Sequence, residues 1–274
     1  VDAIYEATKD TAFLKEMYPQ LLTYYKWWYK KRDHNQNGFC EFGSTDGTIE
    51  AAAWESGMDN AIRFDNAEMV KNCDDAWSFN QESVDLNAFL AYEYRLLTKF
   101  STLLGEEFNM PKVDDKVADY FFDKETGFFY DKKISDGSFI REPGSEAYIP
   151  FWTNIATHEH MEKAMVMLTD TNMFSTYIPF PTVAANNPKY MSNGYWRGPI
   201  WLDQTYFAIK GLRNYGYSDL ADTYTEQVFD RLDGLKSGAP IHENYDSHTG
   251  KRLKAPHFSW SASHLLLLYQ EYKK

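Results

Sequence analysis

Two cysteines, Cys40 and Cys73, are all that 274 residues contain, too few for a disulfide scaffold and without the close spacing of a cysteine metal site. One bridge or two free thiols are both open at this stage. Long apolar runs are missing too: no stretch of about 18 apolar residues occurs, so no segment reads as a membrane-spanning helix. Positive charge is scarce, with 28 basic against 40 acidic side chains and a formal net charge of -12. That balance repels phosphate backbones and anionic membrane surfaces, so neither nucleic acid nor a membrane is an expected partner. An initiating Met and a leader-like segment are absent as well, while residues 1–29 already read as ordered structure. The expectation is a catalytic-size portion, residues 1–274, of a longer soluble protein whose N-terminal remainder is its partner. Compartment stays open, with a periplasmic or secreted placement slightly preferred.

Aromatic residues are abundant, 17% of the chain with 8 Trp and 20 Tyr. Flat aromatic faces stack on sugar rings, although a bulky helical core accounts for the same composition. Apolar positions recur at three- and four-residue steps from Leu14 to Trp28 and from Leu86 to Phe100, the stripes of two amphipathic helices. Further helices are expected over 51–64 (interrupted at Gly57), 112–122, 158–168, 202–215, 218–232 and 257–272. Alternation around Ser135-Asp136-Gly137 predicts a small hairpin over 128–140, and sheet content is otherwise expected to be minor. The stretch 174–198, rich in Pro, Asn and aromatics, reads as an active-site loop. About eight helices joined by loops that hold most of the Gly, Pro and charged-aromatic clusters suit an all-α toroid whose loops converge on a pocket at one end.

Two carboxylates stand out. In Trp54-Glu55-Ser56-Gly57-Met58-Asp59 a Gly sharpens the turn and a Trp can exclude water, conditions that raise a carboxyl pKa and keep a proton available. Glu243, between His242 and Asn244, has polar neighbours that hold a carboxylate ionised. Glycosidic cleavage needs such a division of labour, one acid to protonate the leaving oxygen and one base to activate water. Taken singly, Asp59 also reads as a helix N-cap and Glu243 as a solvated loop residue. Arg197, in a loop entering a helix near Pro199, can present a guanidinium fork to sugar hydroxyls or a carboxylate. Trp54, Trp196 and Trp260 are candidates for ring stacking, whereas Trp27 and Trp28 belong to the first helix. His158-Glu159-His160 lacks a third ligand and reads as surface. Lys30, Lys31 and Arg32 close a helix, where cations favour the dipole.

The Glu-Ser-Gly-X-Asp segment, Gly194-Tyr195-Trp196-Arg197-Gly198-Pro199-Ile200-Trp201, His242-Glu243-Asn244-Tyr245 and Phe258-Ser259-Trp260-Ser261-Ala262 together resemble glycoside hydrolase family 63, on its bacterial α-glucosidase branch, and more distantly trehalases of family 37. The likeness runs in matching order over nearly the whole chain. It implies an (α/α)6 barrel, incomplete here at its N-terminus, and an inverting exo-acting hydrolase with Asp59 as general acid and Glu243 as general base. Inversion needs room for a water, so the two carboxyl groups are expected roughly 6.5–9.5 Å apart. Trp54, Glu55, Tyr195, Trp196, Arg197 and Trp260 would bind a terminal α-glucosyl unit of an oligosaccharide or disaccharide. Met58 stands where trehalases carry Trp, which counts against trehalose. No cofactor is expected in the chemistry. A sugar epimerase or isomerase, or a saccharide-binding module without turnover, are the rival readings.

One more segment, Asp33-His34-Asn35-Gln36-Asn37-Gly38-Phe39, spaces oxygen donors at alternate positions before a turn-forming Gly, the layout that wraps a calcium ion. The twelfth position is Ser44, not a bidentate Glu, so a carboxylate must come from elsewhere. The family resemblance supplies Glu82, making Asp33, Asn35, Asn37, Glu82 and the Phe39 carbonyl a structural site. An ordinary polar turn is the alternative.

Overall fold

A computed structural model describes residues 1–272. Ten α-helices and nine short strands occur among them. In chain order they are α1 (Asp2–Thr8), α2 (Thr11–Lys31), β1 (Gly43–Ser44), α3 (Ile49–Glu55), β2 (Met69–Cys73), β3 (Ala76–Phe79), β4 (Gln81–Glu82) and α4 (Val84–Leu104). Next come α5 (Val117–Phe121), β5 (Phe122–Asp123), β6 (Phe128–Phe129), β7 (Lys132–Lys133), α6 (Ile149–Trp152) and α7 (His158–Leu168). The remaining elements are α8 (Leu202–Asn214), α9 (Ser218–Arg231), β8 (His242–Tyr245), β9 (Arg252–Pro256) and α10 (Ser259–Glu271).

Local chemistry accounts for the helix ends. Asp10 caps α2 by accepting from the Phe13 N–H, and Leu14, Tyr18, Tyr25 and Trp28 form its buried stripe. Gly105 ends α4 in the left-handed conformation. Thr157 and His160 form a reciprocal capping box on α7. Helices α4, α6, α8 and α10 pack one against the next, with α2 against α4 and α9 against α8. One core lies among α4, α6, α7, α8 and α9; a second, holding Trp28, Phe42, Phe79, Trp196 and Trp201, joins α2 and α3 to the loop before α8. Phe89, Trp260, Leu266 and Tyr269 remain exposed.

Several expectations need correction. Lys112 to Lys116 lie outside α5, which is a single short turn. The hairpin around Ser135–Gly137 forms over its inner part, with Lys132 bridged to Phe139, but Phe128–Phe129 pairs back onto Phe122–Asp123 and Lys132–Lys133 also pairs with Gln81–Glu82. Two hairpins were not anticipated: β2–β3, which adds β1 to make a three-stranded sheet, and β8–β9, which carries Glu243. His160 is buried, not surface, stacked 4.2 Å from Phe122. Arg32 does have a partner, described below. Cys40 is buried, Cys73 is exposed, and both are free. No helix is long and apolar enough to cross a membrane among the described residues.

Candidate active site

Helix α3 delivers the acidic motif. It ends at Glu55, and Gly57 takes φ +75°, a left-handed turn that costs a glycine little and brings Met58 into the core and Asp59 to the rim. The following 3-10 turn, Ile62–Phe64, has Ala61 as its N-cap with no side-chain cap bond, so Asp59 is not consumed as a cap. Burial pushes the Asp59 carboxyl above its usual range, and the charge of Glu243 pushes it further in the same direction. The geometric link between these two carboxylates, distant in sequence, runs through the loop 194–196, which bonds Asn60 on one side and Glu243 on the other.

Glu243 sits on β8. Its Oε1 accepts from the Tyr195 hydroxyl at 2.9 Å and its Oε2 from the Ala255 N–H at 3.3 Å, while Ser261 holds its backbone carbonyl at 2.9 Å. Tyr195 feels both carboxylates; burial first, then the bond to Glu243, pushes its phenol up to about 12. Its backbone lies at φ +68°, uncommon for an aromatic residue and held by the Trp201 indole N–H donating to the Tyr195 carbonyl at 3.0 Å. Asn60, next to Asp59, accepts from the Trp196 N–H at 2.9 Å and donates to the Gly194 carbonyl at 3.1 Å. The acid turn and the Tyr-Trp-Arg loop are thereby clamped together.

A cavity of about 260 Å³ opens beside this clamp, lined in part by Ser56, Gly57, Met58, Trp196, Asp203 and Trp260; Asp59 and Glu243 are not among its lining residues. Trp196 is buried, one face covered by Trp201 at 4.0 Å, and Trp260 is half-exposed at the start of α10. Trp54 is exposed.

Two proposed substrate binders have other occupations. Glu55 receives the Arg32 guanidinium on both oxygens at 2.7 Å and the Gly43 N–H at 2.7 Å. Gly43 is required there, since a Cβ would stand 1.9 Å from the Trp77 carbonyl. Arg197 puts its fork on Asp65 at 2.7 and 3.0 Å and reaches the Asn60 carbonyl at 3.2 Å, so it fastens the loop to the acid turn. Arg63 ties the turn that follows Asp59 to the start of α4 and to Asp131 instead. Fully buried, it bonds Asp85 at 2.7 and 2.9 Å and Asp131 at 3.2 Å, with Gln81 and the Val84 N–H completing the Asp131 shell. Sequence reading missed this network because ion pairs between distant positions carry no local signature. It also missed Asp203, which lines the cavity from the first turn of α8, shortly after the Trp-Arg-Gly-Pro motif, the available signal.

In the polar loop, Asp33 accepts from the Asn37 and Gly38 N–H groups at 3.0 Å, and the Asn37 and Asn35 amides reach Glu82 Oε1 at 2.6 and 3.4 Å. Tyr120 donates to the other Glu82 oxygen at 2.6 Å. Burial and the charges of Asp33 and Glu82 push the buried Glu41 carboxyl up to about 9.

A family model for the mannosylglycerate hydrolase MGH1-like glycoside hydrolase domain matches residues 1–261. The chain belongs to that family. It is 24% identical to mannosylglycerate hydrolase MGH1 of Selaginella moellendorffii, over 96% of this chain and 62% of the relative. It is 24% identical to the mannosylglycerate hydrolase of Thermus thermophilus, over 90% of this chain and 68% of the relative. The chain thus spans about 62% of the length of the plant relative. A solved family 63 mannosylglycerate hydrolase from Thermus thermophilus, in complex with glucose, superposes with TM-score 0.79 at 21% identity, covering 98% of this chain and 72% of that one. This likeness carries the fold, the (α/α)6 type of family 63. The family expectation therefore stands, while these relatives are mannosylglycerate hydrolases and not the α-glucosidase branch the motifs suggested.

Proposed function

We propose that the chain carries the catalytic machinery of an inverting hydrolase that releases a hexose from a small glycosylated acid such as mannosylglycerate. Asp59 protonates the glycosidic oxygen, and Glu243 takes a proton from the attacking water. The observation that supports this most directly is the asymmetric carboxylate pair. Asp59 is desolvated and pushed toward the protonated form by burial and by Glu243, whereas Glu243 is held by two donors, the Tyr195 hydroxyl and the Ala255 N–H. Relatives named for mannosylglycerate favour that substrate over a general α-glucosyl oligosaccharide. A cavity of about 260 Å³ whose lining includes Trp196 and Trp260 lies next to the acid turn, although neither Asp59 nor Glu243 lines it, and its volume is that of about one sugar ring.

The test uses leaving groups. Asp59→Asn should abolish cleavage of mannosylglycerate yet spare a mannosyl fluoride, which needs no protonation; Glu243→Gln should lose both. Proton NMR on wild-type turnover should show the inverted anomer first. Activity untouched in both variants, or retained configuration, would refute the assignment.

We further propose a structural calcium ion held by Asp33, Asn35, Asn37, the Phe39 carbonyl and Glu82. Glu82 is buried and, among the described residues, has no cationic side chain within ion-pair distance. A buried carboxylate of this kind calls for a counter-charge, and Asp33 and the Asn35 and Asn37 amides, which here turn their N–H groups to Glu82, carry the hard oxygens that such an ion takes. Bound there, the ion would supply fixed positive charge between the loop and the start of α4, and take no part in bond cleavage. A chelator should lower the melting temperature and added calcium should restore it, since a ligand at about 100 times its Kd contributes about 2.7 kcal/mol. An unchanged melting curve would dismiss the site.

A further inference from the structure

Positive charge near the carboxylate pair is almost wholly committed. Arg32 is held by Glu55, Arg63 by Asp85 and Asp131, and Arg197 by Asp65. Lys189 lies against Asp65 and Glu142. Lys254 differs. Its ammonium stands 5.8 Å from the Tyr195 ring, the ring whose hydroxyl bonds Glu243, and it is exposed with no carboxylate at ion-pair distance among the described residues.

The hairpin explains why it stands there. His242 pairs with Pro256 and Asn244 with Leu253, so the register slips and two residues, Lys254 and Ala255, oppose the single Glu243. Such a bulge re-aims side chains, and this one turns the Ala255 N–H onto the Glu243 carboxylate. Lys254 itself adopts φ +57°, a left-handed conformation that a lysine takes only when its surroundings impose it. The bulge therefore sets a cation without an ion-pair partner among the described residues beside the Tyr195 ring, whose hydroxyl bonds Glu243, in a chain of net charge -12. An anionic substrate meets repulsion from that background and needs one compensating charge.

We propose that Lys254 is the specificity-determining residue that reads the carboxylate of an acidic aglycone, pairing its ammonium with the glycerate-like end of the substrate. The inference rests on the hydrolase reading above. It explains how a strongly acidic chain would prefer a charged glycoside over a neutral one.

Hydrolysis of mannosylglycerate and of its neutral counterpart mannosylglycerol, compared in the wild type, Lys254→Gln and Lys254→Arg, tests it. The kcat/KM ratio of the acid to the neutral substrate should fall about 10- to 100-fold in Lys254→Gln, as expected for one charge-assisted hydrogen bond, with the loss in KM. Lys254→Arg should recover most of the ratio. An unchanged ratio overturns the proposal, whether both rates fall together, which would mean that Lys254 acts through Glu243, or neither falls. Calorimetry of the same two ligands with Asp59→Asn and with the Asp59→Asn, Lys254→Gln double variant separates this from the hydrolase reading. Charge-dependent binding that vanishes with Lys254 upholds the proposal even if the wild type cleaves nothing; equal binding of both ligands, or none, overturns it.

Discussion

Replacing Arg63 by Met should destabilise the protein more than any change among its surface ion pairs. The guanidinium sits between Asp85 and Asp131, whose side chains are 2% and 0% exposed, and Glu146 is buried nearby with its carboxyl pushed up to about 8. Removing one partner of a buried pair costs about 3–5 kcal/mol because the other charge is left in a poor solvent. Here one cation serves two carboxylates, which points to the upper end of that range. Against a typical domain stability of about 5–15 kcal/mol this is a large share. For a chain of this size it corresponds to a melting-temperature drop of roughly 6–20 °C. The deficit should also depend on pH. Burial holds the Asp131 carboxyl above its usual range, and loss of Arg63 removes a charge that opposes this. A carboxyl that binds its proton more tightly folded than unfolded contributes stability at low pH and loses it as pH rises through the folded value. The Arg63→Met deficit should therefore be smaller near about pH 5 than near about pH 8, and Asp131→Asn in the same background should recover part of it. Urea titrations at the two pH values read both effects. A loss below about 1 kcal/mol, the size seen for exposed pairs, would refute the reasoning.

Tyr195→Phe keeps the ring against Trp201 but removes the hydroxyl from Glu243, so kcat/KM should fall about 10- to 100-fold with little change in melting temperature; activity equal to wild type would show that the bond is incidental. Because a general acid works only while protonated and Asp59 holds its proton above the usual aspartate range, kcat/KM should decline as pH rises through that raised value. A profile flat into the alkaline range would remove Asp59 from the role. Glu55→Gln should cost about 1.5–3 kcal/mol of stability by weakening the Arg32 fork while leaving KM near wild type; the reverse outcome, a raised KM with unchanged stability, would return Glu55 to the substrate.

The helices were legible because their signal is local. Leu14, Tyr18, Tyr25 and Trp28 lie on one stripe whatever the rest of the chain does, and α2, α4, α7, α8 and α9 fall where periodicity puts them. Strands of two to five residues leave no comparable trace. Phe128 and Phe129 lie at the start of the stretch expected to fold as a hairpin, yet they pair with Phe122 and Asp123, and only tertiary packing chooses between those partners. His160 illustrates the same limit from the other side: its ring is drawn into the core by Phe122 and by the Thr157 cap, two contacts that a composition-based reading of His-Glu-His does not contain.

The site divides along that line as well. Asp59 and Glu243 were singled out by the motifs around them, since a Gly-sharpened turn and a polar-flanked Glu are short-range patterns. What the neighbouring charged residues do was not legible, because the partner of a charged side chain is a three-dimensional fact. Glu55 and Arg197 carry the residue types that bind sugars, but Arg32 and Asp65 engage their charged ends. Lys254 carries no motif, and it draws notice only once the bulge opposite Glu243 sets it beside Tyr195. In a chain with 40 acidic residues, the informative question about a cation near the site is therefore whether a carboxylate already holds it. Those that are held stiffen the scaffold around the acid turn, and Lys254, which no carboxylate holds among the described residues, is the cation we propose for the substrate.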